Sequence, residues 1–197
     1  IVGMGDLTAN EESYDAFFHC TDKIKESGSD VLDVDLVRPF AQLNIATADI
    51  EKAKNADLEV ARTGVEVTGV FSTLRLWNGS VENETTAKFA LADKAEGTIK
   101  TNNNEYSYLA MNYLLVNTKD LVDVKLSLQD QESNVKVLTR SYSSVPVQRN
   151  YRTNIIGNIL TSDMDFNIEV KPGFEEDGFG VIDGKIFQYV KSLADIE

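Results

Sequence analysis

The chain has 197 residues, 42% of them hydrophobic and only 3 of them Pro. That is enough for one or two domains with a real core, and it is not the composition of a disordered or collagen-like chain. Lys and Arg number 19 against 32 Asp and Glu, a net charge of −13. Such a surface repels phosphate backbones and anionic lipid faces, which excludes nucleic-acid binding as the main activity and disfavours docking to a membrane surface.

In chain order, residues 1–5 (Ile1-Val2-Gly3-Met4-Gly5) hold neither a basic nor a long apolar stretch, so they are not a signal peptide. Ile1 in place of Met favours a targeting end that has been removed. His19 and Cys20 are the only residues of their kinds. One Cys makes no internal disulfide, and one His leaves few ligands for zinc. As neighbours on an extended chain the two point to opposite faces. That argues for a buried thiol beside a surface imidazole rather than a catalytic pair.

Residues 31–37 and 40–46 form a strand region interrupted by Pro39, which marks an edge, a bulge or a strand switch. Thr47 is placed to cap a two-turn helix over 48–54, with Asp49 and Glu51 in its first turn. Alternation over 71–77 puts Phe71, Thr73, Arg75 and Trp77 on one face. Core or hairpin packing is the expected role of Trp77; an exposed ring would instead be a platform for sugar stacking. Asn78-Gly79-Ser80 and Asn83-Glu84-Thr85 match the N-glycosylation pattern and are taken as turn residues. Asn102-Asn103-Asn104 marks another turn.

Residues 108–116 are almost continuously apolar, as in a central strand or one covered on both faces. Residues 122–128 alternate cleanly, with Asp123, Lys125 and Ser127 opposite four apolar residues. Residues 65–67, 135–137 and 166–170 repeat the pattern. Asp183-Gly184 signals a hairpin between 181–182 and 185–187. Ser192-Leu193-Ala194-Asp195 has the form of a helix start, with only two residues after it; a fragment of a longer protein and a frayed tail both fit. Many short strands at roughly 8–12-residue spacing predict an all-β antiparallel sandwich or barrel with one short helix.

Motifs for catalysis are missing. The glycines form no phosphate-binding pattern, and no G-x-S-x-G is present. Acidic pairs such as Asp33/Asp35 and Asp163/Asp165, and the run Glu175-Glu176-Asp177, are ordinary in a chain with 32 acids. They match no calcium-loop spacing. The expectation is therefore no enzyme, no metal and no cofactor.

Two segments are more specific. One is Arg38-Pro39-Phe40-Ala41-Gln42-Leu43-Asn44-Ile45-Ala46-Thr47 before the short helix. The other covers residues 145–161, from Val145-Pro146-Val147-Gln148-Arg149-Asn150-Tyr151-Arg152 onward, followed by 165–170. With 108–116 between them, they resemble the fimbrillin-like surface proteins of Bacteroides and related gut bacteria, from about residue 15 to 174. The resemblance implies transthyretin-like or immunoglobulin-like β-sandwiches, secretion, and anchoring at the outer membrane or in a fimbrium. It implies a role in adhesion or fimbrial assembly by strand donation, in which an added strand satisfies an open sheet edge.

On that basis residues 1–30 are the end of a preceding domain or a linker, 31–174 the sandwich, and 175–197 a tail or lead-in to a further domain. The donor-strand candidates lie in 178–190, with Ile186, Phe187, Tyr189 and Val190 as apolar anchors; the Asp183-Gly184 turn argues against one unbroken strand. Implied partners are other fimbrial subunits or surface proteins, or a host glycan or protein. Contact with a membrane would come only through an anchor outside this chain. The alternative function is a carbohydrate-binding or scaffold module of a larger surface protein, with Trp77 as the sugar-stacking ring. Arg149 and Arg152 are read as fold-organising residues that meet acids or strand-end carbonyls.

Overall fold

The structure, a computed structural model, describes residues 2–3, 7–20, 36–131, 136–162 and 164–172. These residues form an all-β sandwich with one minor helix. The first sheet contains β1 (Val2–Gly3), β2 (Leu7–Thr8), β4 (Val60–Leu74), β5 (Val81–Asp93), β8 (Lys119–Asp130) and β9 (Lys136–Gln148). Its order is β2-β5-β4-β8-β9, with β1 also on β4. The second contains β3 (Phe40–Thr47), β6 (Thr98–Thr101), β7 (Asn104–Leu115), β10 (Tyr151–Gly157) and β11 (Phe166–Pro172), in the order β11-β10-β3-β7-β6.

Most pairs are antiparallel, but two are parallel: β3 with β10 and β2 with β5. The alternation signal does not distinguish these cases. Where the parallel pair is central, its strands are buried along nearly their whole length, as parallel strands covered on both faces usually are.

One apolar cluster fills the space between the sheets. Leu43 and Ile45 of the second sheet share this interior with Val65, Val67, Val122, Val124, Leu126 and Leu128 of the first. Asp123 and Lys125 point to solvent, so the alternation over 122–128 holds. On β4 the buried phase jumps from Val67 to Val70 across a bulge at Gly69, whose φ is +91°. A side chain there would be strained, which is why glycine occupies the bulge. On one open side of the sandwich Tyr142 of β9 meets Phe166 of β11 edge to face, with ring centroids 4.8 Å apart.

The helix α1 spans Ile50–Lys54 and begins later than predicted. Thr47 does not cap it; it ends β3, and its hydroxyl donates to Asp49 and accepts from Ile159 N. The Asp49 carboxylate makes no side-chain bond to its own helix. It instead accepts from Leu160 N, Thr161 N and the Thr161 hydroxyl, pinning the loop between β10 and β11.

Residues 7–20 fall in the stretch expected to be a linker or domain end, and they lie on the sandwich itself. Ala9 is in the main core. Asn10 donates its backbone N–H to Met111 O and accepts from Met111 N through Oδ1.

The outer face of the second sheet is covered in part by a third layer. Asn102 and Asn103, with φ of 50° and 63°, turn β6 into β7 as the asparagine run predicts. This hairpin folds back over the sheet. Ile99, Tyr106 and Tyr108 meet Ala46 and Ile156, and Thr101 Oγ1 donates to Glu169 Oε1 at 3.0 Å.

Candidate binding site at the loop end

β4 ends at Leu74, so the alternation over 71–77 stops before Trp77. Leu76, Trp77 and Asn78 form a turn, held by Gly79 N–H to Arg75 O at 2.8 Å and Ser80 N–H to Asn78 Oδ1 at 3.0 Å. Gly79 has φ +70°. The turn removes the expected core role of Trp77, a residue that is 72% exposed. The Asn-Gly dipeptide carried this signal, because it favours a turn before a strand can continue. Asn83-Glu84-Thr85, in contrast, is not a turn: it lies inside β5, with Asn83 at φ 60°.

Two distant segments meet this turn. Phe18 pairs with Val37 in an isolated antiparallel bridge, both N···O distances being 3.0 Å. Cys20 Sγ donates to Leu76 O at 2.9 Å, and a Cβ on Gly79 would lie 3.2 Å from the Phe18 ring. Arg38 holds the 15–18 segment with a two-pronged pair to Asp15, at 2.7 and 3.0 Å. The Arg38 guanidinium also sits 4.3 Å from the Phe17 ring centroid. As a result Phe17, Leu36, Val37, Leu76 and Trp77 are brought to one end of the sandwich. They are five of the six exposed large apolar side chains among the described residues. A monomer seldom gathers such side chains without a binding role.

Arg149 fastens this end together. Its guanidinium donates to Gly79 O at 2.7 Å and Val116 O at 2.8 Å, tying the β4–β5 turn to the ends of β7 and β9. This is the strand-end carbonyl role read from the sequence. Burial lowers its basicity, while Asp120 nearby opposes that shift. Burial in turn raises the Asp120 carboxyl, against the hydrogen bonds it accepts from Asn117. At the rim Arg75 pairs with Glu82, and that bond holds the Glu82 carboxyl below its ordinary value. Replacing Arg149 by Met removes two charge-assisted bonds and should lower stability by about 2 kcal/mol. The urea midpoint measures this, with a shift in Trp77 emission as the turn loosens.

Of the other residues singled out in the sequence, His19 is exposed and Cys20 is half-buried. Arg152 is buried on the second sheet. Asp165 accepts from Asn158, and Asp163 lies outside the described residues. The donor-strand candidates Ile186, Phe187, Tyr189 and Val190 also lie outside them. Among the described residues no group of three or more His, Cys, Asp or Glu is placed to hold a metal ion, and no helix is long and apolar enough to cross a membrane. Phe17, Leu36, Val37 and Leu76 were missed as site residues. No local periodicity shows that segments 17–20, 36–37 and 76–77 converge.

The described residues thus define a two-sheet β-sandwich with an apolar loop end. The chain belongs to a family of unknown function, DUF6562, whose model matches residues 1–194. No curated protein and no solved structure matches it.

Proposed function

We propose that this chain is a non-catalytic cell-surface subunit of the adhesion or fimbrial type, which assembles or binds through its apolar loop end and an added β-strand. The observation that carries this reading is the convergence of Phe17, Leu36, Val37, Leu76 and Trp77 at one end of the sandwich. Apolar side chains gathered this way gain about 25 cal/mol for each Å² they bury against a partner. Strand addition is the second component. Among the described residues β11 is an edge of its sheet, and the sequence after it supplies Ile186, Phe187, Tyr189 and Val190 as anchors for a neighbour. Other subunits or surface proteins are the partners, and the chain works outside the cell, at the outer membrane or in a fimbrium.

The experiment is light scattering over a concentration series on the full chain. Substituting Phe187→Asp with Val190→Asp should abolish oligomers, and so should Leu76→Ser with Trp77→Ser. Monomers at every concentration in the unsubstituted chain would overturn the assembly reading. A second reading is favoured by one observation, the 72% exposure of Trp77. In it the ring stacks on a sugar as part of a carbohydrate-binding or scaffold module. A glycan screen in which binding is lost with Trp77→Ala, at unchanged stability, would select this second reading.

A further inference from the structure

The proposed function leaves the Asn78-Gly79-Ser80 motif unused, and Asn78-Gly79 is the only Asn-Gly pair in the chain. Glycine has no side chain to shield its backbone nitrogen, so that nitrogen can reach the amide carbon of an asparagine before it. Asn78 is exposed at the loop end of the sandwich. Its Oδ1 accepts from Ser80 N–H at 3.0 Å. Gly79 O, on the same peptide group as that N–H, accepts from the Arg149 guanidinium at 2.7 Å. A cation on a peptide oxygen strengthens the N–H of that peptide as a donor. The relay from Arg149 through this peptide to Asn78 Oδ1 therefore draws electrons from Asn78 Cγ, and it holds a donor on the oxygen where negative charge would develop. Asn83, Asn102 and Asn103 are exposed as well, but Glu84, Asn103 and Asn104 follow them, each with a side chain in the way.

We infer that Asn78 is a site of self-modification, at which the side-chain amide of the folded protein is converted to an acid with water as the only co-reactant. Gly79 N attacks Asn78 Cγ, and the N–Cγ bond forms as the Cγ–Nδ2 bond breaks. Nδ2 leaves as ammonia, and the proton that Gly79 N loses reaches it through solvent. Water then opens the five-membered imide. Opening at Cγ gives an aspartate at position 78. Opening at the backbone carbonyl gives an isoaspartate, in which the chain runs through the side-chain carbon. One bond opposes the reaction: Gly79 N–H donates to Arg75 O at 2.8 Å and has to let go first. Giving up one net hydrogen bond slows the step roughly three- to tenfold, and the polarised Oδ1 works in the other direction. Either product places a new carboxylate beside Trp77. The isoaspartate also lengthens the turn by one backbone carbon, which moves Gly79 O away from Arg149.

The modification does not depend on the proposed function. Only its effect on assembly rests on that reading, because a carboxylate at the contact is costly to bury. The test incubates the full chain in mildly alkaline buffer, both folded and in guanidinium chloride, and follows each asparagine by peptide mass spectrometry. The folded chain should gain the amide-to-acid mass at position 78, at a rate within roughly tenfold of the denatured one. An isoaspartate methyltransferase assay should label the same peptide. Asn78→Gln, which would have to close a six-membered ring, should lose both signals. Asn83, Asn102 and Asn103 of the folded chain should lag well behind. A slower folded rate, or conversion spread evenly over the four asparagines, overturns the inference. Conversion at Asn78 with unchanged light scattering keeps it and counts against the loop end as the contact surface. Oligomers lost in Asn78→Asp, with no conversion in the unsubstituted chain, would overturn the inference and leave that contact standing.

Discussion

Replacing Asp49 by Ala should destabilise the protein by about 3–4 kcal/mol, read as a fall in the urea midpoint. The carboxylate is buried and accepts four hydrogen bonds, from Thr47, from Leu160 N, and from both the N–H and the hydroxyl of Thr161. Alanine strands the Leu160 and Thr161 donors, leaves the Thr47 hydroxyl only Gly157 O as acceptor, and the loop after β10 loses its anchor. Asp49→Asn keeps one acceptor oxygen and should lose about half as much. The pH dependence has a definite sign. Burial alone would raise the carboxyl, but the bonds from Thr47, Thr161 and Leu160 together outweigh it and hold the folded-state value below the ordinary one. A carboxyl lowered by folding stabilises above its unfolded value, about 3.9, and the contribution is lost as pH falls through the folded-state value. The gap between the unsubstituted protein and Asp49→Asn should therefore be full at neutral pH and shrink below about pH 4. A gap that stays constant down to low pH would show that the carboxylate charge plays no part.

Gly157→Ala should be as severe, for a steric reason. A Cβ at this position would lie 2.1 Å from Asp165 O and 2.6 Å from Phe166 Cα, both backbone atoms. Neither can swing aside, because Asp165 O accepts from Asn158 N and Phe166 begins β11. The β10–β11 pair has to part at that end, which also pulls Phe166 from Tyr142. A loss of about 3 kcal/mol is expected, at the upper end for overpacking. Hydrogen exchange should show β11 losing protection before the rest of the sheet. Gly64→Ala, with its closest contact 3.2 Å from Phe89 O, should be clearly milder. Equal losses at the two glycines would contradict this account.

Much of the fold was legible because burial on one face writes itself as alternation. Residues 122–128 show it, and the continuous apolar run that becomes β7 marks the other case, a strand covered on both sides. Three features were not legible, each for a physical reason. The parallel β3–β10 pair joins segments more than a hundred residues apart, and no local pattern encodes that distance. Thr47 and Asp49 have the chemistry of a helix start, but tertiary partners at 159–161 took their hydrogen bonds. Trp77 follows an alternating run, and the Asn-Gly turn after it outweighed the period. The loop end was half legible. Its ring and its turn are in the sequence, while Phe17, Leu36 and Val37 arrive by tertiary contact.

Trp77 is the only tryptophan, so its fluorescence reports on the apolar end alone. The most direct measurement is its emission and iodide quenching across a concentration series, run beside light scattering on the same samples. The account predicts a solvent-exposed, readily quenched ring in dilute protein. Emission should move to the blue and quenching should fall in step with oligomer formation. Oligomers in which Trp77 stays as quenchable as in the monomer would contradict the claim that this end is the contact surface.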